Sequence, residues 1–288
     1  MTEPEKAVLV TGATGSTGSA LVELLHRRGV PVRTMVRGDA SRAHPGTTAA
    51  VADFDDPDAL KVALTGIDRA YLVTPSSERA EEQQLRFVEL AAAAGVRHLV
   101  KLSQFAADEA SPVRFLRYHA AVERRIRELG IGYTFLQPNL YFQGLLAMAG
   151  SIRSEDRFYA AIGDARVSAV DVRDIAAVAA VALTEPGHIG RTYPITGPAA
   201  ITHSEIAAAI GTAVGREITF VDTPPADFGA ALSGVLPPWQ VAGLLEDYAH
   251  YARGEAAAVY PTVEEVTGVA PRDIATFARD HAAAFTRP

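Results

Sequence analysis

Gly12, Gly15 and Gly18, spaced three apart in VTGATGSTGSALVELL, are the first residues of this chain whose pattern has a chemical use. The run before them, KAVLV (6–10), is continuously apolar; the run after them, ALVELLHRRG (20–29), has helical spacing and stops at Gly29. A glycine triplet between a strand and a helix suits a phosphate cradle. Gly12 permits the tight turn, Gly15 lets the backbone approach a pyrophosphate, and Gly18 lets helix pack closely on strand. The N–H groups and partial positive charge at the helix start then serve the phosphates. The second strand, VRTMVR, ends in Arg37 where an NAD-specific site usually carries Asp or Glu. A guanidinium there pairs with a 2′-phosphate, which favours NADP(H); Asp39 comes two places late. In VADFDDP, Asp53 ends the third strand, where a carboxylate accepts an adenine amino group with Phe54 packed nearby. Asp55, Asp56 or Asp58 would cap the next helix. Thr74 and Pro75, in LVTPS, end the fourth strand beside the cofactor's path.

A second candidate centre lies in RYHAAVERRIRELG (117–130). Short-chain dehydrogenases usually carry Tyr-x-x-x-Lys on the corresponding helix, but Tyr118 is followed four places later by Val122. Phe115, His119, Val122, Ile126 and Leu129 follow a four-three-four-three spacing and share one helix face. His119 is therefore expected to point inward near the helix start, close to the sheet's carboxyl edge, where open parallel sheets bind ligands. Imidazole titrates near working pH, so His119 suits a proton donor, with Glu123 one turn on to hold its other nitrogen. The alternative is a core histidine satisfied by a carbonyl. Tyr118 is the rival donor. His119 and Glu123 also have metal-ligand spacing, but a third ligand is not evident and no metal is expected. In QPNLYFQG, Asn139, Tyr141, Phe142 and Gln143 are candidates to line a substrate pocket, and Trp239 in LPPWQ to form part of a lid.

These residues need a scaffold, and the first half of the chain alternates strand-like and helix-like runs. After the cradle come VPVRTMVR, AAVADF, the capped helix DPDALKVALTG, RAYLVTP, the helix ERAEEQQLRFVELAAAAG and the strand VRHLVKLS. The helix bearing His119 leads to IGYTFLQP (131–138). Such alternation predicts an α/β fold with a doubly wound parallel Rossmann sheet. Past Pro138 the rhythm breaks: NLYFQGLLAMAGSI and RFYAAIGDARVSAV read as irregular, then DVRDIAAVAAVAL as a helix and RTYPITG as a last sheet strand. The expected division is a Rossmann domain of 1–138 plus about 166–198. A smaller, mostly helical C-terminal substrate subdomain takes about 139–165 and 199–288.

The formal net charge of −7 gives no footprint for nucleic acid. With no cysteine, disulfides, thiolate metal sites and cysteine nucleophiles are excluded. The opening MTEPEKAVLVTG lacks the cationic start and long apolar core of a signal peptide, and no run is long enough to span a membrane. A cytoplasmic monomer or homodimer is the expectation.

The stretches TGATGSTG, VADFDDPDAL, AYLVTP, AAAAGVRHLVKLS, GIGYTFLQPNLYFQ, VSAVDVRDIAAVAAVAL and VTGVAPRDIATFARDH, with Arg37, together resemble the NmrA-like atypical short-chain dehydrogenases/reductases. That group includes quinone and triphenylmethane reductases, plant isoflavone reductases and a redox-sensing regulator. The resemblance implies cofactor positions at Gly12, Thr14, Gly15, Ser16, Thr17, Gly18, Arg37, Asp53, Phe54, Thr74, Pro75 and Gln104. It also puts Ser103 and Gln104 at the reactive end. The plant reductases carry a catalytic lysine eleven residues before the glycine of a GIPYT motif, and the same count from Gly130 falls on His119. The implied activity is NADPH-dependent reduction of a planar conjugated carbonyl: a quinone, an enone or an aromatic polyketide. A non-catalytic NADP-sensing regulator that docks on a protein partner is the alternative, and isomerase or dehydratase chemistry with retained cofactor a third.

Overall fold

The computed structural model describes residues 7–287; the polar start 1–6, including Lys6 of the first expected strand, lies outside the described residues. The cradle region runs β1 (Val8–Val10), α1 (Ser16–Arg27), β2 (Val32–Val36), β3 (Thr48–Val51), α2 (Pro57–Leu64) and β4 (Arg69–Leu72). Then follow α3 (Ala80–Ala93), β5 (His98–Leu102), α4 (Arg114–Glu128) and β6 (Gly132–Pro138). Beyond Pro138 lie α5 (Gly144–Ala147), α6 (Ala149–Glu155), β7 (Arg157–Ala160), α7 (Val172–Thr184), β8 (Arg191–Ile195), α8 (His203–Val214) and β9 (Thr219–Asp222). The chain ends with α9 (Pro225–Ser233), α10 (Pro238–Ala252), α11 (Thr262–Thr267), α12 (Ile274–Asp280) and α13 (Ala282–Phe285).

The main sheet has the order β3-β2-β1-β4-β5-β6-β8, and the pairings from β3 through β6 are parallel. This is the doubly wound parallel Rossmann arrangement, and the order reverses between β1 and β4, where ligands bind. On one face α2, α3 and α4 bury Leu60, Phe87, Val88, Val122 and Ile126 against Leu99 and Phe135 of the sheet. The strand sequences are near-continuous apolar runs because a parallel sheet is covered on both faces.

The chain divides into two compact units: residues 1–110, 116–137 and 175–193, and residues 111–115, 138–174 and 194–288. Residues 166–174 and 194–198, read as Rossmann from the sequence, therefore group with the second unit, as do 111–115. The second unit has a core of Phe142, Ile152, Phe158, Ile210, Phe277 and Phe285. It also contains a two-stranded parallel sheet of β7 and β9, with Phe158 beside Phe220 in register. RFYA had read as irregular and TFVD had no expected strand; four residues carry too little alternation to announce themselves.

Gly12 adopts φ +57°, which glycine alone takes up readily, and a Cβ there would meet the Val73 side chain at 2.5 Å. A Cβ on Gly18 would lie 2.2 Å from the Gly12 carbonyl oxygen, and that contact is backbone, not a flexible side chain. Gly18 thus packs the helix on the turn itself. Gly18→Ala is expected to destabilise the protein by about 1–3 kcal/mol, the usual range for overpacking. A Cβ on Gly15 would meet the same oxygen at 3.3 Å, so Gly15→Ala is expected to melt close to wild type. Thermal denaturation of the two variants checks the contrast.

Candidate functional site at the carboxyl edge of the sheet

The phosphate loop begins at the end of β1. The Thr11 hydroxyl accepts from the Val73 N–H at 2.8 Å and donates toward the Val73 carbonyl at 2.9 Å. That lacing holds the end of β1 to the end of β4 at the point where the strand order reverses. Gly15 is the extended N-cap residue of α1, with no side-chain cap and no acidic residue in the first turn. The helix start therefore keeps its positive end and its unpaired first-turn N–H groups for an anion. Thr14, Gly15 and Ser16 are exposed, while Thr17 and Gly18 are buried beneath them.

Arg37 immediately follows β2 and is exposed; Gly38 beside it has φ +74°. Asp39, by contrast, accepts from the Ser41 N–H and hydroxyl and caps a short 3-10 turn. These bonds hold its carboxyl below the ordinary range. Asp53 is half-buried and accepts from the Asp55 N–H at 3.0 Å, so it shapes the turn after β3. Asp56 is the residue that caps α2. Phe54 is 5% exposed, packs edge-on against Phe87 and belongs to the core. Thr74 accepts from the Gln84 amide at 2.9 Å, and Pro75 is exposed. Gln104 opens the turn after β5, its carbonyl accepting from Ala107. In that turn Ala106 holds φ +60°, strained backbone for an L-residue.

The reactive-end candidates converge on a buried polar core between β5 and α4. Leu99, Lys101 and Ser103 share one strand parity, and Leu99 packs into the layer that also contains Val122 and Ile126 of α4. The Lys101 ammonium lies 2.7 Å from His119 Nδ1 and donates to the Leu102 carbonyl at 3.2 Å. Lys101 has no exposed surface, and His119 is 8% exposed. Burial pulls the Lys101 pKa down to about 7 despite the Glu123 carboxylate, which opposes the shift. Burial first, and the Lys101 charge second, hold His119 well below the usual imidazole value, so its ring is neutral.

The Ser103 hydroxyl donates to Glu123 Oε1 at 2.5 Å. Glu123 does not hold His119; it accepts from Ser103, from Gln137 at 3.0 Å and from Arg127 at 3.3 Å. Tyr118 is buried, with its ring 4.1 Å from that of His119. Val122, four places after Tyr118, is a fully buried core residue. The residue that sequence reasoning missed is Lys101. A charge inside VRHLVKLS, a strand otherwise buried on both faces, was the available signal, because an interior lysine must find a partner.

In the second unit the expected pocket residues Asn139, Gln143 and Trp239 have partners within the chain. Asn139 donates to Ser168 Oγ and to the Ala256 carbonyl, each at 2.8 Å. Its own oxygen accepts from the Leu140 N–H, so every polar atom is satisfied internally. Gln143 bridges Asp171 and the Val172 N–H at the start of α7. Trp239 packs on Phe115 at 5.2 Å, with the Arg114 guanidinium 5.8 Å from its ring. Tyr141 and Phe142 do line a cavity of about 50 Å³, together with Leu145, Met148, His203 and Tyr248. Among the described residues no three His, Cys, Asp or Glu side chains gather as metal ligands, and no helix is long and apolar enough to cross a membrane.

The model of the NmrA-like family matches residues 4–277. The chain belongs to the NmrA-like family. An NAD(P)H azoreductase from Xenophilus azovorans is 38% identical to this NmrA-like protein over 283 residues, covering 96% of this chain and 99% of its own. A (4-alkanoyl-5-oxo-2,5-dihydrofuran-3-yl)methyl phosphate reductase from Streptomyces griseus is 38% identical over 281 residues, covering 96% and 99%. Among solved structures, an NADPH-dependent quinone oxidoreductase from Escherichia coli complexed with NADPH superposes with a TM-score of 0.86 at 28% identity, covering 95% of this chain and 99% of that one.

The Lys101 shift has a thermodynamic consequence for this NmrA-like protein. Between about pH 7 and its ordinary value of 10.5, the unfolded chain binds a proton at Lys101 that the folded chain has shed. Stability from this group therefore rises with pH across that window. Lys101→Met abolishes the dependence. The wild type is expected to gain melting temperature relative to the variant as pH rises from 7 to 10, measured by paired thermal melts.

Proposed function

We propose that this chain is an NADPH-dependent oxidoreductase that reduces planar conjugated acceptors of the quinone, enone or aromatic polyketide type. The supporting observation is one edge of one sheet: a glycine cradle at the switch point between β1 and β4, and a neutral imidazole backed by a lysine beside the next strand, β5. The cradle fits the cofactor because a Cβ on Gly12 or Gly18 would collide with atoms already there, while exposed Gly15 and the uncapped start of α1 leave an approach for a pyrophosphate. Arg37, exposed after β2, would hold the 2′-phosphate. When bound, the reduced nicotinamide supplies hydride to the acceptor. The chain's own part is to orient the two and to protonate the anion left on the substrate. His119 is the donor in this reading. Ser103 and Glu123 position the polar layer beside it through their 2.5 Å bond.

A conjugated acceptor spreads the incoming charge, so its anion is weakly basic and needs less acid help than a simple ketone. That matches a helix in which Val122 replaces the dyad lysine. The azoreductase and quinone oxidoreductase likenesses point to the same class of electrophile. The test is NADPH oxidation by the purified protein across quinones, enones and azo dyes. Turnover is expected with at least one class, and NADPH is expected to be preferred over NADH. Arg37→Ala is expected to raise the KM for NADPH about tenfold or more while leaving that for NADH nearly unchanged, since one charge-assisted pair is lost. Tight NADPH binding with no turnover on the whole panel would overturn the enzymatic reading in favour of a sensor.

A further inference from the structure

Lys101 is an unusual tenant of a parallel sheet. Its register neighbours are Leu72 on β4 and Phe135 on β6, both with no exposed surface. The group it reaches is His119 Nδ1 at 2.7 Å, and the remaining polar contact is the Leu102 carbonyl at 3.2 Å. The charged or titratable groups facing this pair from α4 are Glu123, engaged by Ser103, Gln137 and Arg127, and Tyr118, whose ring lies on His119. A neutral imidazole by itself is a poor acid: losing its Nε2 proton would leave an imidazolate. It becomes a good one when a second proton arrives at Nδ1 as the first departs.

We propose that Lys101 supplies that second proton, so that Lys101 and His119 form a relay that protonates the reduced substrate. The proposal rests on the reading of His119 as the donor. In the step, the N–H bond at Nε2 breaks and an O–H or C–H bond forms on the substrate anion. At the same time an N–H bond at Lys101 Nζ breaks and one at His119 Nδ1 forms. One proton leaves the lysine and one reaches the substrate; the electron pair has already arrived with the hydride. The ring stays neutral and only changes tautomer, while Lys101 ends as an amine; when the product leaves, solvent returns a proton to Nε2 as the Nδ1 proton passes back to Lys101, which restores the resting tautomer and the ammonium. A cation that never leaves the interior thus serves a histidine that never becomes charged.

The first test needs no cofactor or substrate. Imidazole ¹⁵N NMR of the wild-type protein is expected to show His119 as the Nε2–H tautomer, neutral from pH 5 to 9. Its Nδ1 signal should shift around pH 7 as Lys101 loses its proton. In Lys101→Met that inflection is expected to vanish. An Nδ1–H resting tautomer, an imidazolium forming in that range, or an inflection that survives in Lys101→Met would each overturn the relay. The wild-type spectrum alone decides if the variant folds poorly.

Kinetics then separate the relay from the reading beneath it. His119→Gln is expected to lower kcat for an enone about 100-fold, within the range of general acid catalysis. Lys101→Met is expected to lower it about tenfold and to remove the fall in kcat above pH 7, with the KM for NADPH within twofold of wild type. The loss should be smaller for a quinone, whose anion is less basic. Full activity in His119→Gln would remove the donor reading and the relay with it. Impaired His119→Gln beside unimpaired Lys101→Met would overturn the relay and leave the donor reading intact.

Discussion

A lysine buried between two apolar strands has very little choice about where its ammonium group goes, and the chemistry of this edge follows from that constraint. Removing a charge from water without a partner costs far more than a small domain's whole stability margin. Lys101 meets the cost in two ways: it hydrogen-bonds to His119 and the Leu102 carbonyl, and its pKa falls to about 7, so that it is charged only part of the time. Burial keeps the His119 ring neutral in the first place, and the Lys101 charge at Nδ1 adds to that. The Glu123 cluster lies one helical turn away and neutralises part of the lysine's field while being tied to Ser103, Gln137 and Arg127. Two polar pairs, one turn apart on α4, therefore set the rotational position of that helix over β5 more tightly than apolar packing alone would.

The other half of the edge depends on backbone rather than side chains. Gly12 turns with positive φ because β1 must end abruptly for α1 to begin, and Gly18 lies against the Gly12 carbonyl because the helix starts immediately after the turn. Thr11 adds a hydroxyl that substitutes for a ladder bond between the ends of β1 and β4. Ala106, with its positive φ, shows that the turn after β5 is held in a costlier conformation close to where the polar layer ends.

Much of this was legible in the sequence, and the part that was not has a physical explanation. The cradle is a local device: strand, turn and helix are adjacent in the chain, so three glycines and their flanks announce it. The inward face of α4 is also local, being a matter of 3.6-residue periodicity, and His119 does lie on it. What His119 Nδ1 touches is decided by how α4 settles on β5, a contact across eighteen residues that no periodic pattern encodes. Glu123 was the natural partner by helical spacing, yet the strand supplied a better one. The amides of Asn139 and Gln143 show the opposite ambiguity. A polar residue after a strand end looks the same whether it awaits a ligand or completes a cap, and only the fold brings Ser168, Ala256 and Asp171 within reach of these two amides.

On the proposed reading, the two functions of a Tyr-x-x-x-Lys pair are divided between other residues. In that dyad a lysine lowers the pKa of its neighbour and an aromatic hydroxyl delivers the proton. In the proposed relay the lysine comes from the strand, and the deliverer is an imidazole one helical position beyond Tyr118. The exchange alters the electrostatics. A lysine on the helix would face the cofactor and could grip its ribose, whereas Lys101 faces the interior and cannot. Under the proposed function, holding the cofactor then falls to the cradle and to Arg37, and proton delivery to β5 and α4, so that binding and protonation rest on different strands of the sheet.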